Sequence, residues 1–268
     1  MKKLILAIAA LAFSCAAFAQ DREIDLEEWD NFNKIELSKG RTRVESNLTF
    51  AFPMYFGWTT LTNINYKGYW APAGASSDYY GSIPSAYGEF LNFDTGKNFV
   101  YGLQLLGMDI RYGAFGVNLG IRWTFMDFTF KNSDISMGQM TATNPGTGAQ
   151  YSYYTPYVIS KFIPNYDFKK SKIHASYFGI PVRLSLNFGK ATVYAGGSVE
   201  FLTNGYAKYR SPKSKAQMKD LFNSFRATVE GGFSYGNLGM FVQYGLTPLF
   251  PASLSDARTL TFGILLGL

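Results

Sequence analysis

The sequence is poor in the residues from which most metal sites and many catalytic sites are built. Among its 268 residues there is one cysteine and one histidine. The cysteine, Cys15, falls in an N-terminal segment that we expect to be removed, so the rest of the chain has neither thiol chemistry nor disulfides. Transition-metal sites need several soft or imidazole ligands. We therefore expect no metal and no cofactor.

Long apolar runs are also scarce once the N-terminus is set aside. Lys2 and Lys3 precede the apolar stretch 4–13, and Ala17-Phe18-Ala19 forms a small-x-small cleavage signal. This three-part pattern is typical of a secretory signal peptide, and we predict that residues 1–19 are cleaved. The sequence predicts no membrane-spanning helix after it.

Charge of one sign is not concentrated enough to indicate a nucleic-acid partner. The net charge is +6, and loss of Lys2 and Lys3 lowers it by two. Such a mild excess predicts no nucleic-acid binding. The segment 20–42 is locally acidic, and we interpret it as a solvated periplasmic lead-in.

What the chain has in abundance is alternation of apolar and polar side chains. A period of two over many residues predicts β-strands with one apolar and one polar face. Eight segments show it: 43–58, 99–112, 116–128, 177–188, 191–203, 224–235, 238–247 and 257–268. The alternation slips near Leu105-Leu106, which predicts a β-bulge. Pro181 lacks a ladder donor, which predicts a bulge or an unpaired position.

The connections between these segments differ sharply in length. Tight turns occur at Gly113–Gly116, Gly189-Lys190 and Gly236-Asn237, and long excursions cover about 62–98, 131–175 and 206–222. Outer-membrane barrels combine short periplasmic turns with long extracellular loops. We predict an all-β fold, a transmembrane antiparallel up-and-down β-barrel of eight strands over residues 43–268. Ten strands are the alternative if 150–175 adds a hairpin.

Aromatic residues, 18% of the chain, indicate which face meets lipid. One group lies at the short-turn ends of the strands and another at the long-loop ends, which matches the two membrane interfaces. The groups are Tyr112, Phe115, Phe188 and Tyr235, and Phe56, Trp58, Phe125, Phe128 and Phe201. The apolar face is therefore predicted to face lipid. A soluble lipocalin-like barrel, with the apolar face inward, is the alternative.

The polar face then lines the lumen, and its charges balance. It carries Glu45, Asp109, Glu200 and Glu230 together with Arg111, Arg122, Arg183 and Arg226. Side chains just fill an eight-stranded barrel, and buried charges must be paired. We predict a salt-bridged plug, with a narrow channel as the alternative.

The long loops are the candidate binding surface. Loops rich in Tyr, Gly and Ser are typical of binding surfaces, although such rings also serve to pack loops together. Lysines in the third long loop are suited to lipopolysaccharide phosphates. The candidate residues are Tyr69, Trp70, Tyr79, Tyr80, Tyr153, Tyr154, Lys213 and Lys215. The expected ligand there is a protein or a glycan.

An enzyme is not expected. His174 lies in the predicted loop before the fourth strand, among lysines, and only Ser171 or Ser176 could serve it as a nucleophile. A lipid-modifying outer-membrane enzyme is the corresponding alternative.

The C-terminal strand resembles the β-signal that barrel-assembly machinery recognises. Its alternating residues are Leu260, Phe262, Ile264, Leu266 and Leu268, the last standing where Phe is more usual. The stretches 177–184 (YFGIPVRL) and 194–197 (YAGG), with Gly231-Gly232 before Asn237-Leu238, are similar to the small outer-membrane barrels that include PorT-like and OmpA- or OmpX-like members.

The contrast in loop length and the two aromatic groups predict a protein of the Gram-negative outer membrane with both termini periplasmic. The resemblance implies an eight-stranded, usually non-enzymatic barrel, and PorT-like members act in protein secretion. We expect a monomer with a structural or binding role, in contact with outer-membrane lipid and lipopolysaccharide.

Overall fold

The structure, a computed structural model, describes residues 34–39, 42–49, 53–64, 92–143, 147–161, 163–252 and 254–266, with the side chains of 34–49 outside that description. Its strands are β1 Lys34–Lys39, β2 Thr42–Thr49, β3 Met54–Thr62, β4 Phe99–Tyr112, β5 Phe115–Thr129, β6 Ile135–Thr143, β7 Gln150–Val158, β8 Lys170–Phe188, β9 Ala191–Arg210, β10 Ser214–Gln217, β11 Phe225–Tyr235, β12 Leu238–Gly245 and β13 Arg258–Leu266. Single 3-10 turns lie at Thr95–Lys97, Ile159–Lys161 and Lys219–Leu221. Within these ranges no helix combines the length and the apolar character needed to cross a membrane.

Eight strands close into a ring. In order around it they are β3, β4, β5, β8, β9, β11, β12 and β13, each antiparallel to its neighbours. β13 closes the ring on β3, with Arg258 opposite Thr62 and Leu266 opposite Met54. Closure leaves no free sheet edge in the ring, as a membrane-spanning sheet requires. The predicted eight-stranded antiparallel barrel is confirmed.

The predicted first strand is divided in two. β2 and β3 both pair with β4, with Thr49 opposite Gly107 and Met54 opposite Leu103. β1 pairs with β2 in turn, so part of the predicted solvated lead-in forms a strand. The predicted signal peptide, 1–19, and the acidic residues 20–33 lie outside the described residues.

The sequence predicted two strand irregularities, one near Leu105-Leu106 and one at Pro181. The register of β4 against β5 shifts between Gln104 and Leu106, which confirms the bulge. Pro181 stays in register opposite Ser198 on β9. On its other side the ladder passes from Leu119–Val182 to Arg122–Gly179 without a register shift. This pattern fits the predicted unpaired position at Pro181 rather than a bulge.

The strands at the long-loop end extend farther than predicted. β8 begins at Lys170 and β9 ends at Arg210, each seven residues beyond the predicted bound. The register between them shifts at Ser176/Tyr177, which interrupts the alternation that the sequence pattern depends on. β10 pairs with the extension of β9, from Ser214–Tyr209 to Gln217–Tyr206.

The long loop before β8 contains its own hairpin. β6 and β7 pair from Ile135–Val158 to Thr143–Gln150 and form a separate two-stranded sheet. The ten-stranded alternative is therefore wrong, because this hairpin stands outside the ring.

The outward face is apolar along the ring, as predicted. Phe115, Phe188 and Tyr235 are 62–66% exposed at the short-turn end, and Phe56, Trp58 and Phe201 are about 45% exposed at the long-loop end. Phe128 is an exception. It is fully buried, because even-numbered residues of β5 near its end point inward, and its assignment to the aromatic belt was wrong.

The interior at the long-loop end is filled by a hydrophobic core. Gly205 on β9 faces the ring of Phe222, which stacks on Phe250 at 5.8 Å between ring centres. The side-chain amide of Asn223 donates to the carbonyls of Pro248 and Phe250 at 2.8 Å each. The connections therefore fold onto the barrel interior. Core residues from them include Phe93, Phe130, Met218, Leu221, Leu249 and Leu254.

Candidate functional site

The middle of the barrel holds a buried cluster of arginine and glutamate side chains. Arg122 comes from β5, Arg183 from β8, Glu200 from β9, and Arg226 and Glu230 from β11. None is more than 6% exposed. Inward alternation on four neighbouring strands brings these five charges together. We refer to them below as the lumen ion cluster.

Arg122 joins the two carboxylates of the cluster. Its Nη1 donates to Glu230 Oε2 at 2.6 Å, and its Nη2 donates to Glu200 Oε1 at 2.9 Å. The other two arginines each add one ion pair. Arg226 Nη1 donates to Glu200 Oε2 at 2.6 Å, and Arg183 Nε donates to Glu230 Oε1. Each glutamate thus accepts from two guanidinium groups, which offsets the cost of burying charge.

Neutral polar side chains add further hydrogen bonds to the cluster, although Arg122 Nε and Arg226 Nε have no partner among the described residues. Ser198 Oγ donates to Glu200 Oε1 at 2.8 Å, and Gln243 Nε2 donates to Glu230 Oε2 at 3.2 Å. Arg183 Nη1 donates to Gln104 at 3.3 Å and Arg226 Nη2 to Thr259 at 3.0 Å. These four residues were not among the predicted lumen residues, although inward alternation was the available signal.

Each arginine of the cluster also lies over its own tyrosine ring. Distances from the guanidinium carbon to the ring centre are 5.4 Å for Arg122 and Tyr55, 5.2 Å for Arg183 and Tyr194, and 5.8 Å for Arg226 and Tyr177. Such contacts strengthen when water is excluded. Three arginines face two glutamates, so the tyrosine π faces offset part of the remaining positive charge.

Two of the tyrosine rings pack directly against glycines. A Cβ on Gly102 would lie 2.0 Å from Tyr55 Cζ, and one on Gly232 would lie 2.5 Å from Tyr194 Cζ. Tyr55 Oη also forms a 2.5 Å hydrogen bond with Thr124 Oγ1. Close approach of ring and backbone fixes the platforms on which the arginines lie.

Two predicted lumen residues, Asp109 and Arg111, do not join the cluster. Asp109 is half-buried and accepts from Asn118 Nδ2 at 2.7 Å. Arg111 is exposed, because it lies one residue from the short-turn end of β4. Glu45 is opposite Arg111 in the backbone register, and its side chain lies outside the described residues. The ion cluster occupies the middle of the barrel, and Asp109 and Arg111 lie outside it.

The predicted surface-binding residues are only partly described. Tyr69, Trp70, Tyr79 and Tyr80 and the side chain of Tyr153 lie outside the described residues. Tyr154 is half-buried and packs against the hydrophobic core. Lys213 and Lys215 are exposed, and Lys215 Nζ lies 4.1 Å from the ring centre of Tyr206.

His174 lies in β8 rather than in the loop predicted before it. Its Nδ1 is 2.7 Å from Asp127 Oδ1, and Lys172 Nζ donates to the other oxygen of the same carboxylate at 2.5 Å. Its ring stacks on Tyr206 at 4.5 Å. Ser176 Oγ bonds to Thr203 Oγ1 at 2.9 Å, and Ser171 Oγ is buried with no hydrogen-bond partner among the described residues. Of the hydrogen bonds among the described residues, none joins Ser171 or Ser176 to the His174 imidazole, so these residues form no Ser–His pair.

The predicted assembly-signal residues share the outward face of β13. Phe262 is 49% exposed and Ile264 is 42% exposed, while Leu260 and Leu266 are half-exposed. Leu268 lies outside the described residues. Within the described ranges, no three residues of the His, Cys, Asp or Glu type lie close enough together to hold a metal ion.

A closed eight-stranded antiparallel ring with an apolar outer surface and a packed polar interior defines a barrel of the outer-membrane class. Comparison with known protein families finds no match, and comparison with curated proteins finds no similar sequence. Among solved structures the chain is similar to the crystal structure of Neisserial surface protein A, at 8% identity and a TM-score of 0.33, over 83% of this chain and 99% of that one.

Proposed function

We propose that the protein is a non-enzymatic, non-conducting barrel of the Gram-negative outer membrane that acts as a scaffold for its extracellular loops. The single observation that carries this proposal is the filling of the lumen. The lumen ion cluster occupies the middle of the barrel, and the hydrophobic core occupies the long-loop end.

Filling on two levels argues against the narrow-channel alternative. Ions need a hydrated path through a channel. The five cluster charges instead form ion pairs with one another, and each is at most 6% exposed. Eight strands leave little free bore in any case. The loop residues Leu221 and Phe250 are fully buried beyond the cluster. A path would require both levels to open together.

The enzyme alternative has less support from the geometry. His174 is 5% exposed and is held between Asp127 and the Tyr206 ring. Acyl transfer needs a nucleophile within hydrogen-bond reach of its base. Ser176 is instead bonded to Thr203. We infer a positioning role for this histidine and place function on the surface.

A PorT-like role in protein secretion is the second candidate. It follows from the sequence resemblance, and it is supported by β1, which adds a strand alongside β2 within the predicted periplasmic lead-in. Strand addition at a sheet edge is a common mode of partner binding. Cross-linked affinity purification from native outer membrane would return secretion components if this role holds, and outer-membrane lipid and assembly machinery alone if it does not.

Planar-bilayer recording of the full-length purified protein tests the main proposal. We expect no stable unitary conductance steps, because two layers of packed side chains close the lumen. A porin added to the same bilayer afterwards controls for a working membrane. Reproducible steps from the wild-type chain, at a frequency that follows protein concentration, would overturn the proposal.

A further inference from the structure

Basic side chains form cross-strand rows on the outward face at the long-loop end. Lys172 on β8 is directly opposite Lys208 on β9, which is directly opposite Lys215 on β10. Lys170 is likewise opposite Arg210. Directly opposed residues share a face of a sheet, so these five side chains form one patch. We call it the cation patch.

Within the described part of the chain the patch is short of counter-charge. Asp127 pairs with Lys172 at 2.5 Å, and no described carboxylate forms an ion pair with Lys208, Arg210 or Lys215. Like charges directly opposite one another destabilise a sheet. The row of three lysines therefore favours the binding of an anion from outside the described part of the chain.

Aromatic rings connect the patch to the lipid-facing surface. Trp123, which is 39% exposed, stacks on Phe125 at 5.1 Å, and Phe125 lies 6.2 Å from the His174 ring. The His174 ring stacks on Tyr206 at 4.5 Å, and Tyr206 lies under Lys215. The ring contacts thus run without a break from an outward-facing tryptophan to a cation.

The spacing along the strands places the cations at headgroup level. Exposed aromatic residues of membrane barrels lie at the interface between hydrocarbon and headgroups. Lys172 and Lys208 are each two residues beyond His174 and Tyr206, which is about 7 Å along a strand. In the proposed orientation this step leads outward, from the aromatic belt to the layer of lipid phosphates.

We propose that the cation patch binds the phosphate groups of a phosphorylated glycolipid in the outer leaflet, with its acyl chains against the aromatic surface around Trp123 and Phe125. The inference rests on the membrane placement in the proposed function. A membrane lipid is favoured over a free anion, because the patch is continuous with an apolar surface that a free anion would not use. His174 positions Tyr206, and through it Lys215.

The test compares the wild-type chain with a K208Q/K215Q variant, which keeps Lys172 and its ion pair with Asp127. A K97Q/K190Q variant is the matched control, because both lysines are exposed and lie off the patch. Each protein is folded in phosphate-free detergent and titrated with diphosphorylated lipid A, with dephosphorylated lipid A, or with inorganic phosphate. Native mass spectrometry measures the bound lipid.

We expect the wild type and the control to bind the diphosphorylated lipid equally, and the patch variant to bind it about 30-fold more weakly. The dephosphorylated lipid should bind all three proteins equally, and no more tightly than the diphosphorylated lipid binds the patch variant. Equal binding of both lipids by the wild type would overturn the proposal. Competition by inorganic phosphate at the lipid's own concentration would also overturn it, in favour of a free-anion site.

The bilayer recordings separate this proposal from the proposed function. If the wild type conducts but still prefers phosphorylated lipid, the non-conducting scaffold fails and the lipid site stands. If it is silent and shows no phosphate preference, the lipid site alone fails.

Discussion

The guanidinium carbon of Arg122 lies 5.4 Å from the ring centre of Tyr55, so a charge buried in the lumen rests on an aromatic platform. The same ring lies against Gly102, and its hydroxyl forms a 2.5 Å hydrogen bond with Thr124 Oγ1. The position of the arginine, and with it both carboxylates that it bridges, therefore depends on a glycine in β4.

Replacement of Gly102 by alanine tests that dependence. The new Cβ would lie 2.0–2.2 Å from Tyr55 Cζ, Cε1 and Oη, so the side chain must leave its position under Arg122. We expect a loss of about 1–3 kcal/mol in the free energy of unfolding, typical of overpacking. Urea titration in detergent, read by the gel mobility of the folded barrel, gives the shift.

Gly96→Ala is the matched control. A Cβ at Gly96 would meet only Asp94 Oδ1, at the ordinary contact distance of 3.4 Å. Adding Tyr55→Leu to Gly102→Ala should recover part of the lost stability, because the clash disappears. If Gly102→Ala unfolds at the same urea concentration as Gly96→Ala, the proposed packing of Tyr55 against Gly102 is wrong.

Neutralising Glu230 should strongly destabilise the barrel. Glu230→Gln leaves Arg122 and Arg183 facing a neutral amide, and removing one partner of a buried pair typically costs about 3–5 kcal/mol. The same urea titration measures it. Asp94→Asn, which breaks the exposed pair with Lys97, should leave the midpoint unchanged, since surface pairs contribute little.

A double-mutant cycle then isolates the contact between Arg183 and Glu230. Arg183→Met, Glu230→Gln and the double variant should not be additive, with a coupling of about 0.5–3 kcal/mol. The double variant should be less destabilised than the sum of the singles, because it leaves fewer unpaired charges. Additive losses would mean that the two side chains do not depend on one another.

The strands of the ring and most of their bounds could be predicted from the sequence, because alternation is a local signal. β4 was predicted with both ends correct, and the slip at Leu105-Leu106 gave its bulge. Phe128 was misplaced although the alternation of β5, with Trp123 and Phe125 outward, puts this position on the inward face, where it joins the hydrophobic core. The extension of β8 to Lys170 was missed because a register shift interrupts the pattern.

The candidate site could be predicted in kind but not in detail. Inward alternation identified Arg122, Glu200 and Glu230 as lumen residues. The pairing of Arg122 with Glu230, 108 positions apart, depends on strand order and barrel stagger, which no local pattern encodes. The inward folding of the loops around Phe222 and Phe250 left no periodic signal to read.

Asn223 should hold the connection before β11 and the connection between β12 and β13 against the barrel. Its side-chain amide donates to the carbonyls of Pro248 and Phe250, and its own carbonyl accepts from Tyr177 Oη at 3.0 Å. Asn223→Ala removes both donors and should expose the connection 246–257. We expect cleavage there by an external protease at least several times faster than in the wild type, measured by mass spectrometry of the fragments.

Asn187→Ala serves as the control for that experiment. Asn187 also donates to a turn carbonyl, that of Ala114 at 3.3 Å, but it lies at the short-turn end. Its loss should leave cleavage in 246–257 unchanged. Equal protease resistance of Asn223→Ala and wild type would show that packing of Phe222 on Phe250 is sufficient without the amide.

The outward tryptophans give a direct test of membrane placement. Trp58 and Trp123 are 45% and 39% exposed on the apolar face, and Trp58 stacks on the outward ring of Phe262 at 6.1 Å. A W29F/W70F variant leaves these two as the only tryptophans in the chain. In vesicles, lipids brominated on their acyl chains should quench most of its fluorescence, because the rings contact lipid directly. A W58F/W123F variant should be quenched much less, since it lacks both outward rings. A soluble barrel with its apolar face turned inward would show equal, weak quenching in both variants, and that result would exclude the membrane orientation on which the lumen and lipid proposals depend.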